Sequence, residues 1–168
     1  MLSIAGGTPV RRSPFPSWPV FGPEEEEALL GVLHSGRWFL ADKIDAFERA
    51  FAEFQEAEFG IAVSSGTTAL QVALEAIGIQ PGDEVIVPPY TFIATASAVV
   101  ATGGIPIFAD VQPGTYNIDP TAVEAAITDR TRAIIAVHIA GRPADLDAIM
   151  EIARPRGIRV IEDACQAH

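Results

Sequence analysis

From residue 59 onward, the chain alternates between short apolar runs and longer stretches in which apolar residues recur at helical spacing. The apolar runs predict β-strands at residues 59–63, 84–87, 105–109, 132–137 and 158–162. The stretches between them predict helices at residues 67–78, 91–102, 120–127 and 145–155. Successive strands are separated by enough chain for a helical crossover, which parallel strands require. The pattern therefore predicts an α/β fold, a mostly parallel sheet with helices on both faces.

A different pattern precedes residue 59. Residues 1–22 are rich in proline and glycine and predict an extended arm, which could lie on its own subunit or on a partner. Residues 23–58 predict a helical segment with two helices. The first begins at Pro23, ahead of four glutamates suited to the positive end of a helix dipole, and the second runs from residue 42 to residue 54. Residues 59–168 are then expected to supply the first five strands of a larger domain.

Composition and charge narrow the classes of protein that fit this pattern. Of the 168 residues 49% are hydrophobic, which is typical of a globular protein, and the net charge of -11 argues against nucleic acid or an anionic membrane surface as a partner. The single cysteine, Cys165, excludes an internal disulfide and a cysteine-rich zinc site, and no metal site is predicted. The sequence shows neither a signal-peptide pattern nor an apolar run long enough to cross a bilayer. A cytoplasmic protein is therefore expected.

Polar and aromatic residues follow the predicted strands, at the edge where open α/β sheets place their ligand sites. Residues 64–68 follow the first strand and open a helix, so their backbone N–H groups could bind a phosphate or could form only a cap and a tight turn. Tyr90 and Phe92 follow the second strand, and an aromatic there can stack on a planar ligand or belong to the core. His138 follows the fourth strand, where a hydrogen-bonded structural role is favoured over acid–base catalysis.

A carboxylate completes this set of residues. Asp163 ends the fifth strand, where it could cap a helix, and Glu162 beside it is interpreted as a solvated turn residue without a role. Taken together, a phosphate cradle, an aromatic ring, a polar histidine and a carboxylate match the requirements of pyridoxal 5'-phosphate (PLP). PLP needs a phosphate anchor, a ring stack and an anion that keeps its pyridine nitrogen protonated. The combination predicts a PLP site, although each residue alone favours a structural role.

Four longer motifs add a family resemblance. They are SSGTTAL at residues 64–70, PGDEVIVPPYTF at residues 81–92, AVHIAGRPAD at residues 136–145 and VIEDACQAH at residues 160–168. In this order they closely resemble the DegT/DnrJ/StrS aminotransferases, which are PLP-dependent sugar aminotransferases of the aspartate aminotransferase fold. The resemblance covers essentially the whole chain. It implies an incomplete PLP-binding large domain, without the small carboxyl-terminal domain.

The resemblance also implies a role for each matching residue. Gly66, Thr67 and Thr68 match the phosphate-binding segment, in which the glycine shapes the turn. Phe92 matches the aromatic that stacks on the cofactor ring. Asp163 matches the acid that pairs with the pyridine nitrogen.

Three further positions bear on the chemistry. Gln166 matches a polar residue that contacts the cofactor. Cys165 takes a position often held by a small residue, so it is interpreted as a packing residue and not as a nucleophile. The lysine that forms the Schiff base with PLP in this family is implied to lie beyond His168. Lys43 is the only lysine of the chain, and it cannot easily replace that residue because it lies in the early helical region. No catalytic residue is therefore expected in this chain, and the isolated chain is expected to lack transaminase activity.

The implied reaction takes an amino group from glutamate or glutamine and gives it to a keto sugar, usually nucleotide-linked, or to a keto-cyclitol. The segment at residues 35–40 is similar to members that act on keto-inositols or make aminated aromatic starter units. Family members are generally homodimers. Two alternatives stay open: a sugar dehydratase of the same family, in which histidine replaces the lysine, and a non-catalytic fragment that works only with a complementary chain.

Overall fold

The computed structural model describes residues 2–39 and 42–167. The chain forms two compact units that divide between Ala62 and Val63. The second unit contains the sheet, and the first contains two helices and the segment that precedes them.

Four parallel strands form the sheet: β1 (Glu84–Val87), β2 (Ile105–Phe108), β3 (Thr131–Val137) and β4 (Arg159–Asp163). The order of the strands is β2-β1-β3-β4, so β1 and β3 are central. The apolar side chains of β1 and β3 are buried on both faces of the sheet. In the register of β3 and β4, Val137 lies opposite Asp163. Asp163 is therefore at the carboxyl edge of the sheet, beside the end of β3.

Helices cover both faces of this sheet. Their bounds are α3 (Gly66–Ala76), α4 (Ala94–Ala101), α5 (Pro120–Ala126) and α6 (Leu146–Ala153). Residues of α3 and α4 pack with Val85 and Ile135, whereas residues of α5 and α6 pack with Ile86 and Ile134. Neighbouring residues of one strand thus face opposite helix layers, as strand geometry requires. The predicted fold class is confirmed.

The bounds of these four helices differ from the predicted ones by up to three residues, and two of the differences have a clear local cause. The helix expected at residues 91–102 begins at Ala94, because residues 91–93 form a turn in which the N–H of Thr95 donates to the carbonyl of Phe92 at 3.1 Å. The helix expected to reach residue 155 ends at Ala153 and passes into the 3-10 turn Arg154–Arg156. Pro155 lies in that turn and has no N–H with which to continue an α-helix.

The strand predicted at residues 59–63 is wrong: in the described structure these residues belong to neither a helix nor a strand. A strand exists only when its backbone groups pair with a neighbouring strand. Among the described residues, the hydrogen bond recorded for this segment joins the N–H of Ala62 to Oε1 of Glu48, a side chain, at 2.8 Å. The apolar run was correctly identified, but hydrophobicity alone does not provide a strand partner.

The first unit contains α1 (Pro23–Ser35) and α2 (Asp42–Phe54). The N–H of Gly22 donates to Oε2 of Glu25 at 2.7 Å, which closes the first turn of α1 as a capping interaction. Before α1, the described residues are irregular apart from the 3-10 turn Ser3–Ala5, and most are exposed. None of the helices in the described ranges is both long and apolar enough to span a membrane.

A buried carboxylate closes the opposite, amino edge of the sheet. Glu84 at the start of β1 is 2% exposed, and its oxygens accept hydrogen bonds from the hydroxyl of Thr128 and the guanidinium of Arg130. These bonds, first from Thr128 and then from Arg130, lower the pKa of Glu84 below its ordinary value of 4.5. The loop before β3 is thereby tied to β1 by charge as well as by the strand ladder.

Candidate active site

Asp163 is the centre of the carboxyl edge. Its side chain is 6% exposed, and both of its oxygens are hydrogen-bonded. Oδ2 accepts from the hydroxyl of Thr95 at 2.8 Å, and Oδ1 accepts from the backbone N–H of Cys165 at 3.2 Å. A carboxylate removed from water needs such donors, because an unpaired buried charge is very costly. The predicted position of Asp163 at the end of a strand is confirmed, and its carboxylate is fixed from two sides.

The amino end of α3 supplies the second part of the site. Ser65 caps the helix, because its hydroxyl oxygen accepts from the N–H of Thr68 at 3.2 Å. The hydroxyl of Thr68 lies 3.1 Å from that of Ser65 and 3.2 Å from that of Ser64. Within the described residues, the N–H groups of Gly66 and Thr67 have no recorded acceptor. Two backbone donors at the positive end of a helix are thus available to an anion.

Gly66 brings α3 and the end of β4 together. A Cβ built on Gly66 would lie 2.4 Å from Sγ of Cys165, far closer than real Cβ contacts. A larger residue at this position would therefore force the Cys165 side chain at the end of β4 to move away from the start of α3. The N–H groups at the start of α3 and the buried carboxylate of Asp163 consequently share one edge of the sheet.

Cys165 is held in its protonated form by the same carboxylate. A hydrogen bond to Asp163, followed by partial removal from water, raises the pKa of Cys165 to about 11. A thiol with such a pKa is protonated at neutral pH and is a poor nucleophile. The raised pKa supports the prediction that Cys165 is not a nucleophile, whereas Cys165 is an exposed residue and a packing role stays a prediction.

The aromatic residues of this edge are exposed. Phe92 is 68% exposed and lies in the turn that leads into α4, three residues before Thr95. Tyr90 is tilted against Tyr116, with 5.6 Å between the ring centroids. A core role for Phe92 and Tyr90, one of the two sequence interpretations, is therefore excluded within this chain. Stacking of Phe92 on a cofactor stays a prediction.

His138 has the structural role that was favoured from the sequence. It is buried, its Nδ1 accepts the N–H of Ala144 at 3.0 Å, and its Nε2 lies 3.0 Å from Oε2 of Glu162. Because Nδ1 accepts a hydrogen bond, the ring proton is on Nε2, which donates a hydrogen bond to Glu162. The interpretation of Glu162 as a turn residue is wrong, because Glu162 belongs to β4, whereas its side chain is exposed as predicted and contacts His138.

Gln166 joins the end of β4 to the loop after β3. Its Oε1 accepts from the N–H of Ala140 at 2.7 Å, and Ala140 has the left-handed φ of 52°. Because Oε1 is engaged, the NH₂ group is the end of this amide that is left to donate to a ligand. Contact between Gln166 and a cofactor stays a prediction.

Sequence reasoning missed two residues that hold this edge together. Thr95 is fully buried against Asp163. Asn117 donates from Nδ2 to the carbonyls of Arg142 and Pro143 at 3.1 and 2.7 Å, and its Oδ1 accepts from the N–H of Ile139 at 3.2 Å. The spacing of Thr91 and Thr95, four residues apart on a helical stretch, was an available signal for the first; nothing in the local sequence marks Asn117.

Comparison with known proteins shows which family this chain matches. The model of the DegT/DnrJ/EryC1/StrS aminotransferase family matches residues 19–168. The chain is 47% identical over its whole length to the L-glutamine:2-deoxy-scyllo-inosose aminotransferase of Micromonospora echinospora. It covers 42% of that protein, so the chain spans about two-fifths of the length of the curated relatives it matches.

Solved structures give the same result. An aminotransferase from Psychrobacter cryohalolentis superimposes with a TM-score of 0.88 at 45% identity, over 92% of this chain and 40% of that one. NtdA from Bacillus subtilis, solved with bound cofactor PMP (the pyridoxamine form of PLP), superimposes with a TM-score of 0.82 at 41% identity. That match covers 87% of this chain and 34% of NtdA.

Proposed function

Because this chain belongs to the DegT/DnrJ/EryC1/StrS aminotransferase family, we propose that it forms part of the cofactor-binding domain of a PLP-dependent aminotransferase. The observation that carries the proposal is the buried carboxylate of Asp163, fixed by Thr95 and Cys165 beside the open amides of α3. An anion in this position is what a protonated pyridine nitrogen requires.

Each residue of the proposed site would contact a different part of the cofactor. The N–H groups of Gly66 and Thr67 would bind the phosphate at the amino end of α3. Phe92, exposed at the same edge, would cover the ring, and Asp163 would hold a proton on the ring nitrogen. When bound, PLP acts as an electron sink for the carbon from which a proton is removed. Thr68 and Gln166 complete the proposed set, Thr68 by shaping the helix start and Gln166 through its NH₂ group.

The proposed substrates follow the curated relative. An aminotransferase that uses L-glutamine and 2-deoxy-scyllo-inosose is 47% identical to this chain, which supports glutamine as the amino donor and a keto-cyclitol as the acceptor. Glutamate and a nucleotide-linked keto sugar are the corresponding choices elsewhere in the family. A homodimer is also proposed, on the family resemblance alone.

Calorimetric titration of the 168-residue chain with PMP tests the cofactor site, because PMP binds without a covalent link. Saturable binding is expected, and Asp163→Asn is expected to weaken it by roughly tenfold or more, since a charge-assisted hydrogen bond is lost. Asp147→Asn, an exposed aspartate of α6, is the matched control and should bind as the unchanged chain does. Equal affinity in Asp163→Asn, or the absence of binding, would contradict the proposal.

A further inference from the structure

Thr95 connects the two groups that the proposed cofactor site depends on. Its hydroxyl donates to Oδ2 of Asp163 at 2.8 Å, and its backbone N–H donates to the carbonyl of Phe92 at 3.1 Å. One residue therefore contacts both the acid proposed for the ring nitrogen and the backbone of the aromatic proposed for the ring face. Thr95 is itself fully buried, so its rotamer is constrained by the surrounding core.

The hydrogen-bond pattern fixes the direction of this chain of hydroxyl groups. A carboxylate can only accept, so Thr95 uses its single hydroxyl proton on Asp163. The oxygen of Thr95 then accepts from the hydroxyl of Thr91, which lies 2.9 Å away. A directed chain from Thr91 through Thr95 to Asp163 therefore runs from the turn before α4, through α4, to the end of β4.

We infer that Thr95 is a positioning residue: it orients the Asp163 carboxylate toward the cofactor's ring nitrogen and sets its distance from Phe92. The inference rests on the proposed function. Without the hydroxyl, Oδ2 of Asp163 loses the donor that comes from α4, and the carboxylate keeps the contacts with Cys165, two residues further along the chain. A carboxylate that can rotate is a poorer partner for a ring held by its phosphate and its face.

The test compares Thr95→Val, which keeps the shape and removes the hydroxyl, with Thr95→Ser, which keeps the hydroxyl. PMP labelled with ¹⁵N in the ring is titrated into each chain, and both its affinity and the protonation of its ring nitrogen are followed by NMR over pH. In Thr95→Val, binding is expected to weaken roughly tenfold, and the ring nitrogen to lose its proton at lower pH than in the unchanged chain. Thr95→Ser should restore both properties.

Thr102→Val is the matched control, because the hydroxyl of Thr102, just after the end of α4, bonds within the described part of the chain to the carbonyls of Ala98 and Val99 and not to Asp163. If the circular dichroism of Thr95→Val shows that this variant is not folded, Thr91→Val is measured in its place. It is expected to weaken PMP binding and ring protonation in the same direction but by less. If the unchanged chain binds PMP and Thr95→Val matches it in affinity and ring protonation, the inference on Thr95 fails and the proposed function stands. If the unchanged chain does not bind PMP, the proposed function fails and the inference falls with it.

Discussion

At the scale of single residues, the pKa of Cys165 depends on the carboxylate of Asp163 beside it. The hydrogen bond from the thiol to Asp163 is the largest cause of the high pKa of Cys165. Since Cys165 is the only cysteine in the sequence, its titration can be followed without interference from another thiol. The contact between Asp163 and Cys165 can therefore be tested through the pKa of the thiol, without any cofactor.

Asp163→Asn is expected to lower the pKa of Cys165 from about 11 toward its ordinary value of 9.0. The neutral amide no longer disfavours a neighbouring thiolate, so the thiolate forms at lower pH. The rate of alkylation by iodoacetamide as a function of pH measures the change. Asp147→Asn should leave the profile unmoved, and an unchanged profile in Asp163→Asn would show that this carboxylate is not the cause.

Gly66 makes a steric prediction at the same contact. A methyl group at this position would overlap Sγ of Cys165 but would lie 3.7 Å from its Cβ, an ordinary contact. Gly66→Ala should therefore destabilise the fold by about 1–3 kcal/mol, as overpacking does. Adding Cys165→Ala, which removes Sγ and keeps Cβ, should recover most of that loss.

Denaturant unfolding of the two single variants and the double variant measures this coupling. The single variant Cys165→Ala is the necessary reference, because it also removes the thiol's hydrogen bond to Asp163. Additive effects of the two substitutions would mean that α3 and the end of β4 are not in contact at Gly66.

At the scale of secondary-structure elements, the two edges of the sheet serve different purposes. The carboxyl edge carries the candidate site, whereas the amino edge carries the hydrogen-bonded group of Glu84, Thr128 and Arg130. The folded state lowers the pKa of Glu84, so the folded protein binds this proton less readily than the unfolded chain does. The resulting stabilisation is complete above the ordinary pKa of 4.5 and is lost as the pH falls through the lowered value.

Glu84→Gln is therefore expected to lower the melting temperature at a pH of about 7 and to lower it less at an acid pH below 4.5, because the stabilisation is lost as the pH falls through the lowered pKa of Glu84. Thermal unfolding followed by circular dichroism at both pH values provides the measurement. Glu151→Gln, an exposed glutamate of α6, serves as the control. A difference that does not change with pH would mean that the charge of Glu84 contributes nothing to β1 and its neighbouring loop.

The elements also show which features the sequence could predict. Four of the five predicted strands form, because β1 to β4 combine an apolar run with neighbours that complete the hydrogen-bond ladder. Residues 59–63 have the same kind of apolar run but are not paired in the described structure. Strand pairing is a long-range property, and local hydrophobicity does not determine it.

The candidate site could be predicted to a similar extent. Asp163 and Gly66 were identified because strand ends and helix starts in an α/β fold converge on one edge. Thr95 and Asn117 were missed because their partners, Asp163 and the loop at residues 139–143, are distant in the sequence. Local motifs indicate where Asp163 lies, but the buried hydroxyl that holds its carboxylate comes from the packing of α4 against the sheet.

At the scale of the whole molecule, the central claim is that the carboxyl edge of one four-stranded sheet forms a cofactor site. Three parts of the chain contribute to it: the start of α3, the turn before α4 and the end of β4. The Gly66–Cys165 contact and the Thr95–Asp163 hydrogen bond join them. Each of these contacts lies within the second compact unit.

The most direct test is an NMR map of backbone amide shifts in the 168-residue chain during titration with PMP. The account predicts saturable shifts concentrated at Gly66, Thr67, Phe92 and Asp163, with Gln166 included. Pyridoxamine, which lacks the phosphate, should leave Gly66 and Thr67 largely unmoved. Shifts centred elsewhere, such as on Met150 and Arg154 of the α6 region, or no saturable shift at all, would contradict the account.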